Sequence, residues 1–289
     1  MPGPVEAVNQ VRREQMRALT ANNWWRAAMV LVPIVAGAVA AAFVSGLNPA
    51  VVFVLAAAAV GLVGLIATYV LADRRAKSAF IEAWARSRGW TKDTGLWLDE
   101  ATPLLRDGDR QGSKDHVSGP LGVDSQAVLC HYTYEIRHEN VDSSGNTTTD
   151  WESHEFTVIE TRVNAPGISS LSLHPRSFGD NRLFDRIDSK LTSDRVVQLE
   201  SSELEHEYKL EVPDSASDVA VRLLFEPAFM VWCLDQAADQ MLLEIENETL
   251  VVAIPDHSYD AAQLDDLVAK ATTVATRLAD ARATTSKVT

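Results

Sequence analysis

The side chains best suited to chemistry in this chain are four histidines, His131, His138, His154 and His174. Imidazole ligates metal ions and exchanges protons near neutral pH, so these residues are the first candidates for a site. No two of them have the spacing of a helical zinc motif, and "HEFTV" lacks the second histidine which that motif requires. If the segments around His138 and His154 pair as strands, these two would lie close together. The pattern nevertheless favours exposed strand histidines over a metal or acid–base site.

A calcium-binding loop is the second candidate, in the stretch "DGDRQGSKD". Asp107, Asp109 and Gln111 match its first, third and fifth ligand positions, and Gly112 matches the glycine of its sixth. The twelfth position, which supplies a bidentate glutamate, is Ser118. A phosphate-binding loop is excluded as well, because Gly-Lys-Ser/Thr between a strand and a helix is missing. The composition therefore predicts a plain turn.

No nucleophile is marked by its local sequence. The two cysteines, Cys130 and Cys233, are too far apart for a zinc motif, and we expect both to be reduced and partly buried. No serine lies in a Gly-x-Ser-x-Gly motif. The carboxylates are abundant in the way that a solvated acidic surface requires. The sequence therefore assigns no catalytic residue, no cofactor and no metal ligand.

The charge is divided unevenly along the 289 residues. Residues 1–92 carry ten Lys or Arg against four Asp or Glu, whereas residues 93–289 carry sixteen against thirty-six. An acidic domain is repelled by a phosphate backbone, so nucleic acid is excluded as a partner. The asymmetry indicates a basic, apolar front part and an acidic, soluble remainder.

The front part contains two long uncharged runs, residues 27–47 and 50–72. Each meets the roughly 20 apolar residues that a helix needs to cross a membrane. Between them, Asn48 is a favourable helix N-cap and Pro49 a favourable first-turn residue. The pattern predicts a transmembrane hairpin over residues 27–72 with Asn48 and Pro49 in its turn. The small residues of "AVAAAFVSG" leave a cleaved signal peptide as the alternative.

Basic and aromatic residues flank the hairpin. Because positive flanks stay on the cytoplasmic side, we expect two spans in a cell membrane with both termini cytoplasmic. Residues 1–26 are predicted to be a cytoplasmic segment, either an interfacial helix or a frayed tail, and residues 73–92 are predicted to be a basic juxtamembrane helix that ends at Gly89. The predicted anchor residues are Trp24, Trp25, Arg26, Arg74, Arg75 and Lys77.

The remainder, residues 93–289, has the pattern of an α+β domain. "AVLCHYTYEI" and "WESHEFTVIETRV" predict a long hairpin, with alternate residues from Val128 to Ile136 on one face. "MLLEIENETLVVAI" predicts a second hairpin, and "ELEHEYKLEV" predicts one strand with its apolar residues facing inward. "FEPAFMVWCLDQAAD" and "NRLFDRIDSKL" predict helices, and a final amphipathic helix is predicted from Ser258. Antiparallel strands, with packed helices late in the order of elements along the chain, define the α+β class.

Residues 225–254, "FEPAFMVWCLDQAADQMLLEIENETLVVAI", resemble the C-terminal part of the DUF3137 group, a family of uncharacterised bacterial membrane proteins. The resemblance lies in a Pro-Ala-Phe-Met helix followed by a hairpin and a final helix. It implies a membrane hairpin before the domain. It implies no functional residue, because the motif is structural.

These observations favour a non-catalytic binding or scaffold protein, held in membrane lipid by the hairpin and presenting its domain to an unknown protein partner. A hydrolase-like enzyme with an unrecognised site is one alternative, which converging His, Asp or Glu residues in a pocket would favour. A lipid-sensing module of the pleckstrin-homology kind is the other. Its headgroup contacts would need a local basic patch such as Arg176, Arg182 and Arg186.

Overall fold

The computed structural model describes residues 23–43, 48–93, 102–122, 125–141, 147–165, 167–178 and 194–285. The chain forms two compact units, Met1–Trp84 and Ala85–Thr289. The described part of the first unit is helical. The second unit is a large antiparallel sheet with packed helices, which confirms the α+β class.

Two apolar helices occupy the described part of the first unit. Helix α1 spans Asn23–Phe43, and helix α2 spans Pro49–Ser87. The side chain of Asn48 caps α2, because its Oδ1 accepts a hydrogen bond from Ala50 N at 3.0 Å. After residue 72, α2 continues without interruption, since neither glycine nor proline occurs before Ser87.

A glycine closes the C-terminal end of α2. Gly89 has a φ of +73°, in the left-handed region, and Trp90 N donates to Ala85 O at 2.9 Å. This geometry satisfies a carbonyl of the last turn, as the glycine in the sequence predicts.

Small residues bring α1 and α2 into contact. A Cβ atom on Gly37 would lie 2.8 Å from the backbone oxygen of Phe53, so only glycine fits there. A Cβ atom on Gly61 would lie 4.0 Å from Cγ of Pro33. Close approach of helix backbones at small residues is the packing mode that apolar surroundings favour.

In the described part of the second unit the sheet has nine strands in the order β1-β2-β3-β4-β9-β8-β5-β7-β6, and neighbours pair antiparallel throughout. The strands are β1 Thr91–Lys92, β2 Arg110–Leu121, β3 Ser125–Val141, β4 Thr147–Arg162, β5 Ser170–Pro175, β6 Asp194–Val196, β7 Tyr208–Pro213, β8 Leu242–Glu246 and β9 Thr249–Pro255. The hairpin β8–β9 therefore lies in the middle of the sheet, next to strands that are distant in sequence.

Within the described residues, five α-helices accompany the sheet. They are α3 Pro103–Arg106, α4 Ser202–Glu207, α5 Asp218–Leu224, α6 Pro227–Asp235 and α7 Ala261–Thr285. The helix predicted over "FEPAFMVWCLDQAAD" is confirmed as α6. The helix predicted over "NRLFDRIDSKL" lies outside the described residues.

Both predicted hairpins are confirmed. β3 and β4 pair from Ala127–Thr161 to Val141–Thr147. In β8–β9 the turn residues Asn247 and Glu248 have φ of 49° and 66°, as a type I′ turn requires. The predicted inner face of β3 is buried in one apolar cluster with α3, β4, β8 and β9, and its members from β3 are Cys130, Tyr132, Tyr134 and Ile136.

The prediction of a single strand over "ELEHEYKLEV" is wrong for its first half. Residues Ser202–Glu207 form α4, because Ser201 Oγ accepts a hydrogen bond from Leu204 N at 3.2 Å. Glu203 and Glu205 stabilise the first turn through the helix dipole. Local capping outweighs the alternating pattern there, and β7 begins only at Tyr208.

The predicted start of the last helix at Ser258 is also wrong. α7 begins at Ala261, where the carboxylate of Asp260 accepts a hydrogen bond from Ala262 N at 2.8 Å. Ser258 N donates instead to Thr157 Oγ1 at 2.8 Å. Ser258 therefore belongs to a linking segment that is bonded to the sheet.

A matched pair of glycines in β2 tests the packing of the sheet edge. A Cβ atom on Gly119 would lie 2.3 Å from the indole ring of Trp90, whereas one on Gly112 would have nothing within 4 Å. We expect Gly119→Ala to lower the free energy of unfolding by about 1–3 kcal/mol through overpacking. Gly112→Ala is expected to be neutral or slightly stabilising. Urea denaturation of both variants in detergent measures the difference, and equal free energies would contradict the Trp90 contact.

Candidate functional site

The apolar surface of α2 is the first candidate site. An 18-residue window of this helix has a mean hydropathy of 2.8, and none of that window is buried. Within the described part of the chain α2 alone is long and apolar enough to cross a membrane, whereas the apolar stretch of α1 over residues 30–41 is shorter. By length and composition, this surface is suited to contact with lipid.

The predicted anchor residues lie on α1 (Trp24, Trp25 and Arg26) and on α2 (Arg74, Arg75 and Lys77). Lys77 forms an ion pair with Asp73 one turn earlier, at 3.0 Å. Arg74 and Arg75 are exposed at the point where charge returns to the sequence. Their anchoring role, like the turn role of Asn48 and Pro49, stays a prediction.

A buried polar cluster lies where residues 257–259 cross the sheet. His131 has no exposed surface, and its Nε2 lies 2.9 Å from the carbonyl oxygen of Ser258. Its Nδ1 lies 3.2 Å from Oδ2 of Asp115, to which the hydroxyl of Tyr259 donates at 3.1 Å. The ring of His257 is 4.9 Å from that of His131. The cluster therefore joins β2 and β3 to the segment that leads into α7.

A β-bulge directs Asp115 toward His131. The pairing of β2 with β3 shifts register between Lys114 and Val117. Within this bulge Asp115 has a φ of +57°, a left-handed conformation that aspartate tolerates better than most residues. Bulges of this kind redirect side chains, and they recur beside functional sites.

The electrostatics of the cluster centre on the part-buried carboxylate of Asp115. Burial by itself raises the pKa of Asp115. The hydrogen bond and charge of His131 and the hydrogen bond from Tyr259 lower that pKa and outweigh burial, so the net pKa of Asp115 is lowered. The Ser258 carbonyl and the ionised Asp115 both only accept hydrogen bonds. Both contacts of His131 are therefore satisfied together when both ring nitrogens carry hydrogen.

His257 lies beside this pair and favours its neutral form. Burial lowers its pKa, the hydrogen bond to the carbonyl of Tyr132 at 3.0 Å opposes burial, and the charges of His131 and Lys114 lower the pKa further. The nearby carboxylate of Glu155 raises it, and the net result is a pKa of about 4. His257 is therefore uncharged at neutral pH.

A pH titration of His257 follows from this shift. The unfolded chain takes up a proton on this ring near pH 6.5, and the folded protein does so only near pH 4. The stability contributed by His257 is therefore complete above about pH 6.5 and is lost as the pH falls from there through about 4. We expect the ring-proton NMR signal of His257, assigned with a His257→Gln variant, to titrate near pH 4. A midpoint near 6.5 would rule out the buried position.

The histidines at 138 and 154 do lie close together, as strand pairing implies. His138 Nε2 is 2.9 Å from Oε2 of Glu152, and His154 Nε2 is 3.4 Å from the other oxygen of that carboxylate. The side chains of His138 and Glu152 keep 42% and 48% of their surface exposed. The contact is therefore a solvated one of small energetic value. Among the described residues, no group of three or more His, Cys, Asp or Glu is arranged to hold a metal ion.

The prediction of exposed strand histidines is wrong for His131 and His174. His174 is buried and lies 3.0 Å from Oε1 of Glu244, a fully buried carboxylate of the central strand β8. Oε2 of Glu244 accepts a hydrogen bond from Leu104 N at 2.9 Å. Sequence reasoning missed Glu244. The sequence feature that could have predicted its buried position is that Glu244 is the single charged residue of the apolar run "MLLEI", whose other members are all buried.

Both cysteines are free and buried, in agreement with the prediction. Burial raises the pKa of Cys130, with smaller contributions from Glu160 and Asp115, and raises the pKa of Cys233 to about 12. A thiol is nucleophilic only as the thiolate, so neither residue is suited to nucleophilic chemistry at neutral pH.

A small cavity of about 90 Å³ lies elsewhere in the second unit, between β5, β6, β7 and α4. Leu173, Leu204 and Leu210 supply its apolar lining, and Arg176 and Glu205 are among its polar residues. Neither histidine cluster lines this cavity. An enzyme would be favoured by acid–base groups that converge in a pocket, and the histidine clusters do not converge in this cavity.

No protein-family model matches this chain, and no curated protein matches it. The crystal structure of the mycobacterial trehalose monomycolate transport factor A, TtfA, is similar with a TM-score of 0.43 and 12% sequence identity. The similarity covers 72% of this chain and 96% of that one. A likeness at this level carries no argument about function. The resemblance to the DUF3137 group stays a proposal.

Proposed function

We propose that this protein is a membrane-anchored binding module whose acidic α+β domain lies at the cytoplasmic face of a bacterial membrane. The observation that carries the proposal is the unburied 18-residue apolar window of α2. At about 1.5 Å per residue, 18 helical residues extend about 27 Å, close to the roughly 30 Å of a hydrocarbon core. A helix satisfies its own backbone groups, which a membrane interior requires.

The finer form of the proposal is a two-span hairpin over residues 27–47 and 50–72. It is supported by the close approach of Gly37 to Phe53 and by the N-cap that Asn48 forms on α2. The basic residues before and after the hairpin favour two cytoplasmic termini with only the short turn outside.

The binding role is inferred from how the polar groups of the domain are used. Both ring nitrogens of His131 and both carboxylate oxygens of Glu244 already contact protein groups. Groups engaged in this way stabilise the fold and are poorly placed to act as an acid or base on a substrate. We therefore propose a non-catalytic binding or scaffold role for an unknown protein partner, and we include the resemblance to the DUF3137 group in this proposal.

Membrane extraction tests the anchor. We expect the full-length protein to sediment with membranes, to resist alkaline carbonate and to dissolve only in detergent. N-terminal sequencing of this fraction should recover residues that precede position 27, which excludes cleavage as a signal peptide.

A reporter fused after Thr289 should be active only in the cytoplasm. Release by carbonate would contradict the anchor, and a periplasmic reporter would contradict the orientation.

Affinity capture from solubilised membranes tests the binding role. The bait is the full chain, and its control carries charge reversals at the exposed residues Glu139 and Asp150, on the hairpin β3–β4. We expect a partner that the wild type captures and the control does not. Capture of the same proteins by both, or of none, would contradict a specific acidic binding surface.

A further inference from the structure

The segment that joins β9 to α7 is fastened to the sheet by hydrogen bonds of two kinds. Thr157 Oγ1 donates to Asp256 O at 2.7 Å and accepts from Ser258 N at 2.8 Å, while His257 contacts Tyr132 O. These bonds do not depend on an ionised group. The contacts of His131 with Ser258 and Asp115 are different, because a change of protonation on one ring affects both.

We propose that His131 is a proton-dependent latch, which holds the segment before α7 to β2 and β3 while its ring carries two hydrogens and releases that segment when one is lost. With one hydrogen, the ring keeps either the bond to the Ser258 carbonyl or the bond to Asp115. The other nitrogen then presents a lone pair to an acceptor at about 3 Å, which is repulsive. Burial removes the water that would otherwise relieve this contact, since His131 has no exposed surface.

The groups that face His131 are Asp115 and His116 on β2, and His257 and Tyr259 on the linking segment. Asp115 is ionised at neutral pH because its pKa is lowered. Burial lowers the pKa of His116, against the opposing charges of Asp115 and Asp93, and His257 is neutral above about pH 4. The charge of Lys114 acts on both Asp115 and His257, and the charge of Glu155 acts on His257. A ring of His131 with one hydrogen therefore leaves either the ionised Asp115 or the Ser258 carbonyl facing a nitrogen lone pair.

The latch controls more than its own segment. Residues 257–260 lead directly into α7, whose buried face includes Leu264, Leu267 and Val274. α7 packs against β9 and contacts β2 and β4. Loosening the segment would thus loosen the first turn of α7 and uncover apolar surface on the sheet. This inference deepens the proposed binding role by giving the domain a regulated face, but the latch does not depend on membrane attachment.

The test is amide hydrogen exchange of the full chain in detergent, at several values between about pH 6 and pH 9 and corrected for the intrinsic exchange rate. In the wild type we expect the protection of residues 256–264 against exchange to fall at least about tenfold as the pH rises. This fall corresponds to the loss of one charge-assisted hydrogen bond. Protection of the central strand β8 should change much less.

The Asp115→Asn variant separates the latch from general alkaline loosening. Asparagine accepts the left-handed backbone at least as well as aspartate. Its amide has two donors, which can meet the neutral ring of His131 and the hydroxyl of Tyr259 at the position of Oδ2. We expect protection of the segment in this variant to be independent of pH. Asp235→Asn, at an exposed position of α6, is the matched control and should behave as the wild type does.

Ring nitrogen NMR of His131 gives the second readout. The wild type at about pH 6 should show two protonated nitrogens, and Asp115→Asn should show one. The latch would be overturned by wild-type protection that does not vary with pH, or by an equal fall in Asp115→Asn. A wild-type ring with one protonated nitrogen would overturn it too. Membrane extraction tests the anchor separately, so failure of either proposal is recognised on its own.

Discussion

Replacing Glu244 with alanine is expected to lower the free energy of unfolding by about 3–5 kcal/mol, because it removes a buried hydrogen-bond acceptor together with core volume. The change leaves Leu104 N and His174 Nε2 without the acceptors that they contact at 2.9 and 3.0 Å. It also opens a void beside the central strand β8, where the surrounding side chains have no exposed surface. Urea denaturation in detergent, followed by tryptophan fluorescence, measures the loss.

Two controls make this prediction specific. Glu244→Gln keeps the volume and one acceptor oxygen, so we expect a smaller loss of about 1–2 kcal/mol. Glu203→Ala removes an exposed carboxylate from α4 and should change the free energy of unfolding by at most about 0.5 kcal/mol. If Glu244→Ala loses no more than Glu203→Ala, the buried contacts of Glu244 do not stabilise the fold.

The double variant Leu62→Arg with Ile66→Arg is expected to shift the protein from the membrane toward the soluble fraction. These residues lie one turn apart on α2, and they are 59% and 55% exposed. Each arginine near the centre of a spanning helix costs about 2.5–3.5 kcal/mol of insertion free energy. Together they oppose insertion by roughly 5–7 kcal/mol, a factor of about 10⁴. Sedimentation after carbonate treatment measures the distribution between membrane and soluble fractions.

The matched control places the same two charges on exposed valines of the second unit. Val219 on α5 and Val231 on α6 are 67% and 59% exposed. Val219→Arg with Val231→Arg should sediment with membranes as the wild type does, because neither residue belongs to α2. Retention of the Leu62→Arg, Ile66→Arg protein in the membrane would contradict the role of α2 as an anchor.

Local patterns predicted a large part of the fold. Alternation in "AVLCHYTYEI" predicted β3 and its inner face, and "MLLEIENETLVVAI" predicted the hairpin β8–β9. Apolar spacing predicted α6. These features depend on the residues of one segment, because strand period, turn chemistry and helix period are local properties.

The failures occur where local signals compete or where partners are distant in sequence. Alternation over residues 203–207 was outweighed by the cap of Ser201, so a helix replaced the predicted strand. His131 was predicted to be exposed because its buried partner, Ser258, lies 127 residues further along the chain. Neither histidine spacing nor composition carries that information.

The sequence by itself determined the uncharged runs over residues 27–47 and 50–72, the acidic character of the remainder and the two hairpins, since each rests on neighbouring residues. Only the tertiary structure decided that β8 and β9 lie between β4 and β5 in the sheet. That order buries Glu244 against Leu104, and it brings residues 257–259 over His131. Pairing between distant strands depends on how all the faces pack together, so it cannot be deduced from any one segment.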